Sequence, residues 1–191
     1  MMNRMKTALA VTIALAGGPA FAAGVRWSVD ADASYIEFSG VQTGNAFTGR
    51  FGEFDAEITL DPDDLSDASI VATIKTGTAK TGDRQRDKAL PTGTWFASKE
   101  HPEARFESSE VVKTGDGAFE AKGTLTIREA SEPVTLPFTL AIDGDAATAD
   151  GSVQLDRGDF AIGQGEFAGG KWVSNDVGVK IHIEATRAAA E

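Results

Sequence analysis

The fold of this chain is decided by the stretch Phe119–Arg128, FEAKGTLTIR. Its odd positions carry apolar or small residues, and its even positions carry charged residues or threonine. Alternation with a period of two predicts a β-strand that has one buried face and one solvated face. Strands of this kind belong to antiparallel sheets, because the strands of a parallel sheet are covered on both faces.

The same alternation recurs on both sides of this stretch, and turn-forming clusters separate the alternating segments. Many short strands spaced in this way predict an antiparallel sandwich or barrel. The turn clusters are Asp61–Asp64, Gly115–Gly117 and Asp143–Asp145. The alternating segments are Ser34–Phe38, Phe54–Leu60, Ile70–Lys75, Val134–Ile142, Val153–Leu155 and Val179–Glu184.

One change of phase favours the barrel. Phe47 and Phe51 occupy odd positions, whereas Phe54 and Ile58 occupy even positions. A bulge near Gly52 puts all four side chains on one face and bends the sheet, as closure requires. Residues 82–98 interrupt the alternation and predict a short helix and loop lying across the sheet. The predicted fold class is therefore all-β, a single antiparallel barrel of about eight strands with a short helical insert.

The N-terminus predicts export. Arg4 and Lys6 precede a ten-residue apolar run, and Ala20-Phe21-Ala22 has the small-x-small pattern of a cleavage site. We therefore expect a secretory signal peptide over residues 1–22, a barrel domain over residues 23–191, and a periplasmic location. The chain has no cysteine and a formal net charge of −11. This acidity argues against nucleic acid as a partner, since phosphate backbones bind basic surfaces, and against binding to anionic membranes by charge alone.

Residues that could carry catalysis or bind a metal ion are few. The two histidines, His101 and His182, are far apart in the sequence, and no cluster has the spacing of a metal site. The glycines of Gly165–Lys171 resemble a phosphate-binding loop, but Trp172 stands where a magnesium-binding hydroxyl is needed. We predict a glycine-rich turn there, no catalytic residues, no metal and no cofactor.

Aromatic residues are the abundant feature, with 11 phenylalanines and three tryptophans. Several of them fall on the predicted inward faces of the strands. A packed core explains such a pattern, and so does a lined cavity, because a barrel of about eight strands just fills with side chains or holds one small ligand. The sequence leaves both interpretations open.

The order and spacing of several short motifs resemble the YceI-like family, which comprises exported lipocalin-like barrels that bind polyisoprenoid lipids. Ala161 and Arg128 depart from the pattern, because the family often has glycine there. The motifs are Trp27-x-Val29-Asp30, Phe47-x-Gly49-x-Phe51, Arg86-Asp87, Trp95-Phe96, Gly123-x-Leu125-Thr126-Ile127 and Arg157-x-Asp159-Phe160-x-Ile162-Gly163.

The resemblance implies a carrier whose apolar channel holds an isoprenoid lipid, either a polyprenyl lipid or an isoprenoid quinone. Phe160 and Ile162 are expected to end a strand. The mouth is predicted at Trp95, Phe96 and Trp172, and the contacts to a polar head group at Arg86 and Arg157. The predicted wall comprises Phe38, Phe47, Phe51, Phe54, Phe106, Phe119, Phe160 and Ile162.

Two other functions remain open at this point. An isomerase or hydrolase acting on a bound lipid needs a titratable group inside the barrel, and the alternation places none there. A solid-core barrel acts only through protein contacts. Transient contact with a membrane or a membrane protein, and a homodimer, also stay open.

Overall fold

The computed structural model describes residues 24–189, so the predicted signal peptide lies outside the described residues. Eleven strands and one short α-helix, α1 (Arg84–Ala89), form this part of the chain. The strands are β1 (Arg26–Val29), β2 (Tyr35–Gln42), β3 (Asn45–Phe51), β4 (Phe54–Asp61), β5 (Asp64–Lys75), β6 (Ala79–Lys80), β7 (Glu103–Gly115), β8 (Ala118–Ile127), β9 (Ala130–Asp143), β10 (Ala146–Asp156) and β11 (Asp176–Arg187).

Eight strands form a closed antiparallel barrel, which confirms the predicted fold class. The ring runs β1-β4-β5-β7-β8-β9-β10-β11 and returns to β1 through the β1–β11 pairing. β2 continues along β11 beyond β1, while β3 pairs with β2 and β6 pairs with β3. Among residues 24–189, no helix is long and apolar enough to cross a membrane.

The change of phase near Gly52 is a break between two strands, where the sequence predicted a bulge within one. β3 ends at Phe51 and β4 begins at Phe54. The backbone N–H groups of Gly52 and Glu53 donate to the Thr78 hydroxyl at 3.1 Å and 3.2 Å. Because the break shifts the register by one residue, Phe51 and Phe54 both face the barrel interior.

β8 carries the alternation that decided the fold, and its inward face is buried. Phe119, Ala121 and Ile127 are all buried. Gly123 interrupts this face for a steric reason: a Cβ there would lie 2.8 Å from the ring of Phe106 and 2.3 Å from the carbonyl oxygen of Glu107. The missing side chain lets β7 and the Phe106 ring approach β8 closely.

The segment between β6 and β7 forms the predicted helical insert. α1 begins after Asp83, whose carboxylate accepts hydrogen bonds from the backbone N–H groups of Gln85 and Arg86, both at 2.9 Å. This is an ordinary N-cap arrangement. Leu90 and Phe96, which follow the helix, are buried in the same cluster as residues from β2 and β5. The insert therefore covers one end of the barrel.

The strand expected to end at Ile162 is shorter than predicted. β10 stops at Asp156, and residues 157–175 form a long rim loop before β11. Phe160 and Ile162 belong to this rim loop, although both are buried. The strand stops because the side chain of Arg157 draws the following backbone into a turn, as described below.

Candidate functional site

An apolar cavity of about 340 Å³ lies inside the barrel. It is lined by inward-facing side chains from strands on every side of the ring, together with residues of α1 and the rim loop. A volume of this size is typical of ligand pockets, which range from roughly 300 to 1,000 Å³. The interior is therefore not the solid core that the sequence had left open.

One end of the cavity is closed by Trp27. This residue is buried, and its indole N–H donates to the backbone carbonyl of Leu60 at 2.9 Å. Leu60 and Ala185, from the neighbouring strands, are also buried and line the cavity beside it. With its one polar atom satisfied, the tryptophan forms an apolar floor.

The polar residues of the lining lie together at the opposite end. Arg86 donates from Nη1 to the Gln42 side-chain oxygen at 2.9 Å, and its guanidinium lies 4.8 Å from the ring centre of Phe47. Gln42 faces Val173 of the rim loop across an isolated bridge. Among the described lining residues, the polar ones are Gln42, Gln85, Arg86, Arg157 and Ser174.

This polar end is the mouth of the cavity. Gln85 is exposed, and Gln42, Arg86 and Phe47 are only half-buried. The mouth supplies amide N–H groups and the guanidinium N–H groups that Arg86 does not use for Gln42 and Thr81, whereas the Ser174 hydroxyl donates to the Asp176 carbonyl. Such a set suits a ligand group that accepts hydrogen bonds or carries negative charge.

Arg86 is held in place by two aspartates of the insert. The backbone N–H of Thr81 donates to Asp87 at 2.7 Å, and this bond lowers the pKa of Asp87 below its usual value. Similarly, the backbone N–H of Arg86 lowers the pKa of Asp83. Both carboxylates therefore remain charged at neutral pH and fix the start of α1. They leave the Arg86 guanidinium turned towards the cavity.

Arg157 is buried and organises the rim loop. It is 4% exposed, and all five of its N–H groups donate to backbone carbonyls. The described side-chain hydrogen bonds of Arg157 include no carboxylate partner. Burial lowers the pKa of Arg157, while the nearby Asp156 carboxylate opposes that shift. The acceptors are the carbonyls of Ile162, Gly163, Phe167, Val173 and Ser174.

Because its donors are all occupied, Arg157 is poorly suited to contact a ligand head group. Its guanidinium lies 5.6 Å from the ring centre of Trp95, and Trp95 in turn packs against Phe167 at 5.4 Å between ring centres. The side chain thus touches the cavity while it ties the rim loop to the insert. We assign it a structural part in shaping the mouth.

A second arginine makes a similar tie from the β8–β9 turn. Arg128 donates from Nη1 to the carbonyls of Trp95 at 2.8 Å and Ala161 at 2.7 Å. Both departures from the family's glycines now have a structural context, since Arg128 has φ +59° and Ala161 has φ +52°. These are left-handed conformations that glycine adopts more easily.

Replacing Ala161 by glycine is expected to raise the free energy of unfolding by about 0.5–1 kcal/mol, because it relieves the left-handed strain. Chemical denaturation of the two proteins measures this. Ala168→Gly is the matched control, since Ala168 lies in the same loop with φ −64° and gains nothing from the change. Equal effects at the two positions would contradict the explanation.

Most of the residues predicted from the sequence line the cavity or its mouth. Phe119 and Trp172 do not line the cavity. Phe119 lies deeper, stacked on Phe138 with ring centres 5.5 Å apart, and Trp172 points outward with 43% of its surface exposed. Those that do line it are Phe38, Phe47, Phe51, Phe54, Trp95, Phe96, Phe106, Phe160, Ile162, Arg86 and Arg157.

The position of Phe119 predicts a large cost in stability and a small one in ligand binding. Phe119→Ala is expected to lower the free energy of unfolding by about 3–4 kcal/mol, since the ring is 2% exposed and its loss leaves a void. Phe47→Ala, at the half-buried mouth, should cost less stability and more ligand affinity. Denaturation and ligand titration of both variants check this, and the reverse order would refute it.

Sequence reasoning missed several residues of the site. Gln42 and Ser174 are polar residues in or near strands, and the alternation treats such positions as solvated. Trp27 was used as a family motif, but nothing in the sequence marked it as the floor.

His182 lies on the outer surface, away from the cavity. Its ring stacks on Tyr35 with centres 5.1 Å apart, and its two nitrogens contact Asp150 at 2.9 Å and Glu184 at 3.3 Å. Its side chain is therefore partly enclosed by these neighbours, with 22% of its surface exposed. Within residues 24–189, no group of three or more histidine or carboxylate side chains is arranged to hold a metal ion.

Comparison with known proteins identifies the family. A model of the YceI-like domain matches residues 27–185, which span the whole barrel. The chain belongs to the YceI-like family. A UPF0312 protein of Pseudomonas aeruginosa strain LESB58 is 34% identical over 170 residues, which cover 85% of this chain and 88% of that protein.

Solved structures share the YceI-like barrel. The crystal structure of BcnA from Burkholderia cenocepacia is 31% identical in sequence, covers 83% of this chain and 100% of its own, and superposes with a TM-score of 0.80. The structure of a polyisoprenoid binding domain from Saccharophagus degradans superposes with a TM-score of 0.68. It covers 86% of this chain and 99% of its own at 13% identity, so it demonstrates a common fold.

Proposed function

We propose that this protein is a periplasmic carrier that holds an isoprenoid lipid, either a polyprenyl lipid or an isoprenoid quinone, in its barrel cavity. The observation that carries the proposal is the polarity of the cavity. Its apolar interior ends at Trp27, and its polar lining residues gather at the opposite mouth. A molecule with a long apolar tail and a compact polar head fits this arrangement.

The energetics favour such a ligand. Each methylene group moved from water into an apolar site contributes about 0.8 kcal/mol, so a long tail binds tightly with few polar contacts. The same property keeps the free lipid out of water, which gives a carrier its use. The related barrel from Saccharophagus degradans is described as a polyisoprenoid binding domain, and this supports the same ligand class here.

The lining favours binding over catalysis. Among the described residues that surround the cavity, the ionisable ones are Arg86 and Arg157. No carboxylate, histidine, lysine or tyrosine of the described chain lines it. General acid–base catalysis needs a group that exchanges protons near the working pH, and arginine does not do so. We therefore propose no enzymatic step and no cofactor.

The direct test is to purify the mature protein without detergent, extract it with organic solvent and analyse the extract by mass spectrometry. We expect one isoprenoid per protein chain, and its mass will identify the head group. Protein that is folded and purified from the periplasm yet yields no lipid, and that also fails to bind an added isoprenoid quinone, would overturn the proposal.

Arg86 is proposed as the main contact of the ligand's head group. Arg86→Gln is expected to lower the affinity for an isoprenyl phosphate about tenfold, since one charge-assisted hydrogen bond contributes about 1.5 kcal/mol. Affinity for the corresponding isoprenyl alcohol should change much less. Titration of both ligands measures the difference.

The matched control for this prediction is Arg84→Gln. Arg84 lies on the same helix and is exposed, but it does not line the cavity. The substitution Arg84→Gln therefore removes the same charge from the same helix. If both variants weaken the phosphate ligand equally, the effect is one of overall charge and Arg86 is not the contact.

A further inference from the structure

Large apolar side chains are mostly hidden in this barrel, and the exceptions are not spread evenly. In the part of the chain that the structure describes, three of them are exposed: Val41, Ile142 and Trp172. Ile142 lies by the β9–β10 turn at the closed end, where Ala147 pairs with both Ile142 and Ala185. The other two lie at the mouth.

Val41 and Trp172 flank the mouth on adjoining segments. The backbone N–H of Ser174 donates to the Val41 carbonyl at 2.8 Å, and that of Thr43 donates to the Trp172 carbonyl at 2.9 Å. Between them, the Gln42–Val173 bridge forms part of the cavity lining. We call this exposed pair, together with Lys171, the apolar rim. It is continuous with the cavity through Gln42 and Val173.

The chemistry of the apolar rim suits a membrane interface. The Lys171 ammonium group lies 4.8 Å from the ring centre of Trp172. Tryptophan favours the boundary between head groups and acyl chains, and lysine keeps its charge at the head groups while its stem lies along apolar surface. The adjoining hairpin, residues 39–49, carries no charged side chain, although 25% of the whole chain is charged.

The charge of the barrel differs between its two ends. The three turns at the closed end carry Asp61, Asp63, Asp64, Asp116, Asp143 and Asp145. These six carboxylates outnumber the cations beside them, Arg26 and Arg187, of which Arg187 pairs with Asp145 at 3.3 Å. At the mouth, the segment from β6 through α1 has more basic than acidic residues: Lys80, Arg84, Arg86 and Lys88 against Asp83 and Asp87. The rim loop adds Asp159 and Glu166 against Arg157 and Lys171.

This difference orients the molecule near an anionic surface. The acidic closed end is repelled, and the mouth is the end that approaches, over a range of about 10 Å at ordinary salt. Contact by the apolar rim then brings the mouth of the cavity against the lipid. A tail can pass between bilayer and cavity there without crossing water.

We infer that the apolar rim of Val41, Lys171 and Trp172 docks on the surface of an anionic lipid bilayer, mouth first. The inference rests on the proposed carrier function, because a lipid ligand is the reason for the mouth to face a bilayer. Trp172 enters the interface, and the cations of α1 lie over the anionic head groups.

Vesicles of phosphatidylethanolamine and phosphatidylglycerol are the probe. Co-sedimentation of the mature protein is expected to fall at least about fivefold in the Val41→Ser/Trp172→Ser variant, since membrane affinity follows the apolar area buried. Ile142→Ser removes an equally exposed apolar side chain at the closed end, and it should leave binding unchanged. Added salt should weaken binding of the native protein.

A conservative variant guards against misfolding. With brominated acyl chains in the same vesicles, the native protein should lose part of its tryptophan fluorescence, and Trp172→Phe should abolish that quenching. No binding by the native protein, quenching that survives in Trp172→Phe, or an equal loss in Ile142→Ser would overturn the inference. Binding that requires a membrane protein in the vesicles would overturn it too, in favour of a protein receptor.

The lipid content of the same samples separates this inference from the proposed function. An isoprenoid in the extract together with no vesicle binding refutes the docking and leaves the carrier. Vesicle binding that depends on Trp172, together with no isoprenoid in the extract and no binding of an added isoprenoid quinone, supports the docking surface and refutes the carrier.

Discussion

Replacing Arg157 by methionine is expected to lower the free energy of unfolding by about 3 kcal/mol or more. Methionine fills a similar length but donates no hydrogen bond, so five carbonyls of the rim loop lose their donor. An unsatisfied buried polar group costs roughly 1–3 kcal/mol, and water entering the site recovers part of the total. Urea denaturation followed by tryptophan fluorescence measures the change.

Two variants sharpen this test. Arg50→Met removes an arginine whose ion pair with Glu37 is exposed, so it should cost at most about 1 kcal/mol. Arg157→Lys keeps the charge but supplies three donors from one atom. Its free energy of unfolding should lie between those of the native protein and Arg157→Met. A methionine variant within about 0.5 kcal/mol of the native protein would show that the rim loop does not depend on Arg157.

The same substitution should also alter the mouth. The carbonyls that Arg157 binds stretch from Ile162 to Ser174 and so hold most of the rim loop in place. Without the hydrogen bonds from Arg157, we expect faster amide hydrogen exchange over residues 158–175 and little change in the exchange rates of β7 to β9. Exchange that rises evenly over the whole barrel would indicate a general loss of stability instead.

Filling the middle of the cavity is expected to weaken ligand binding strongly without unfolding the barrel. Ala72 on β5 faces inward between Ala56 and Phe106 on the neighbouring strands. A phenylalanine at position 72 occupies space equal to several methylene groups of a lipid tail. At about 0.8 kcal/mol for each methylene, affinity should fall about 100-fold.

The matched control is Val71→Phe on the same strand. Val71 pairs with Glu57 and Glu107, and it does not line the cavity. The affinity of Val71→Phe for a short-chain isoprenoid quinone should therefore stay near the native value, while that of Ala72→Phe falls. Titration of both variants measures the difference. If Ala72→Phe binds as tightly as the native protein, the tail does not occupy the barrel interior, and the proposed function is wrong.

The alternation of β8 and its neighbours predicted an antiparallel sandwich or barrel, and the change of phase near Gly52 favoured the barrel. Side-chain direction follows from a period of two, so the inward faces could be assigned one strand at a time. The change of phase at Gly52 was also readable, because a one-residue shift reverses every side chain beyond it. Most of the phenylalanines chosen in this way lie along the cavity.

Depth within the barrel could not be predicted in this way. Phe119 and Phe106 have the same inward direction, but their height along the barrel depends on the stagger of neighbouring strands. That stagger places Phe119 in a packed layer against Phe138, whereas Phe106 reaches the cavity. Alternation determines which face of the sheet a residue occupies, but it does not determine the residue's height along the barrel axis.

The sequence by itself determined the ring of strands, the bend at Gly52, the helical insert and the aromatic character of the interior, because each depends on local periodicity or turn chemistry. The tertiary structure decided which end is closed, which polar groups form the mouth and what Arg157 binds. These features join residues far apart in the chain, such as Trp27 with Leu60 and Gln42 with Arg86. Contacts of that kind depend on closure of the barrel, which no single segment encodes.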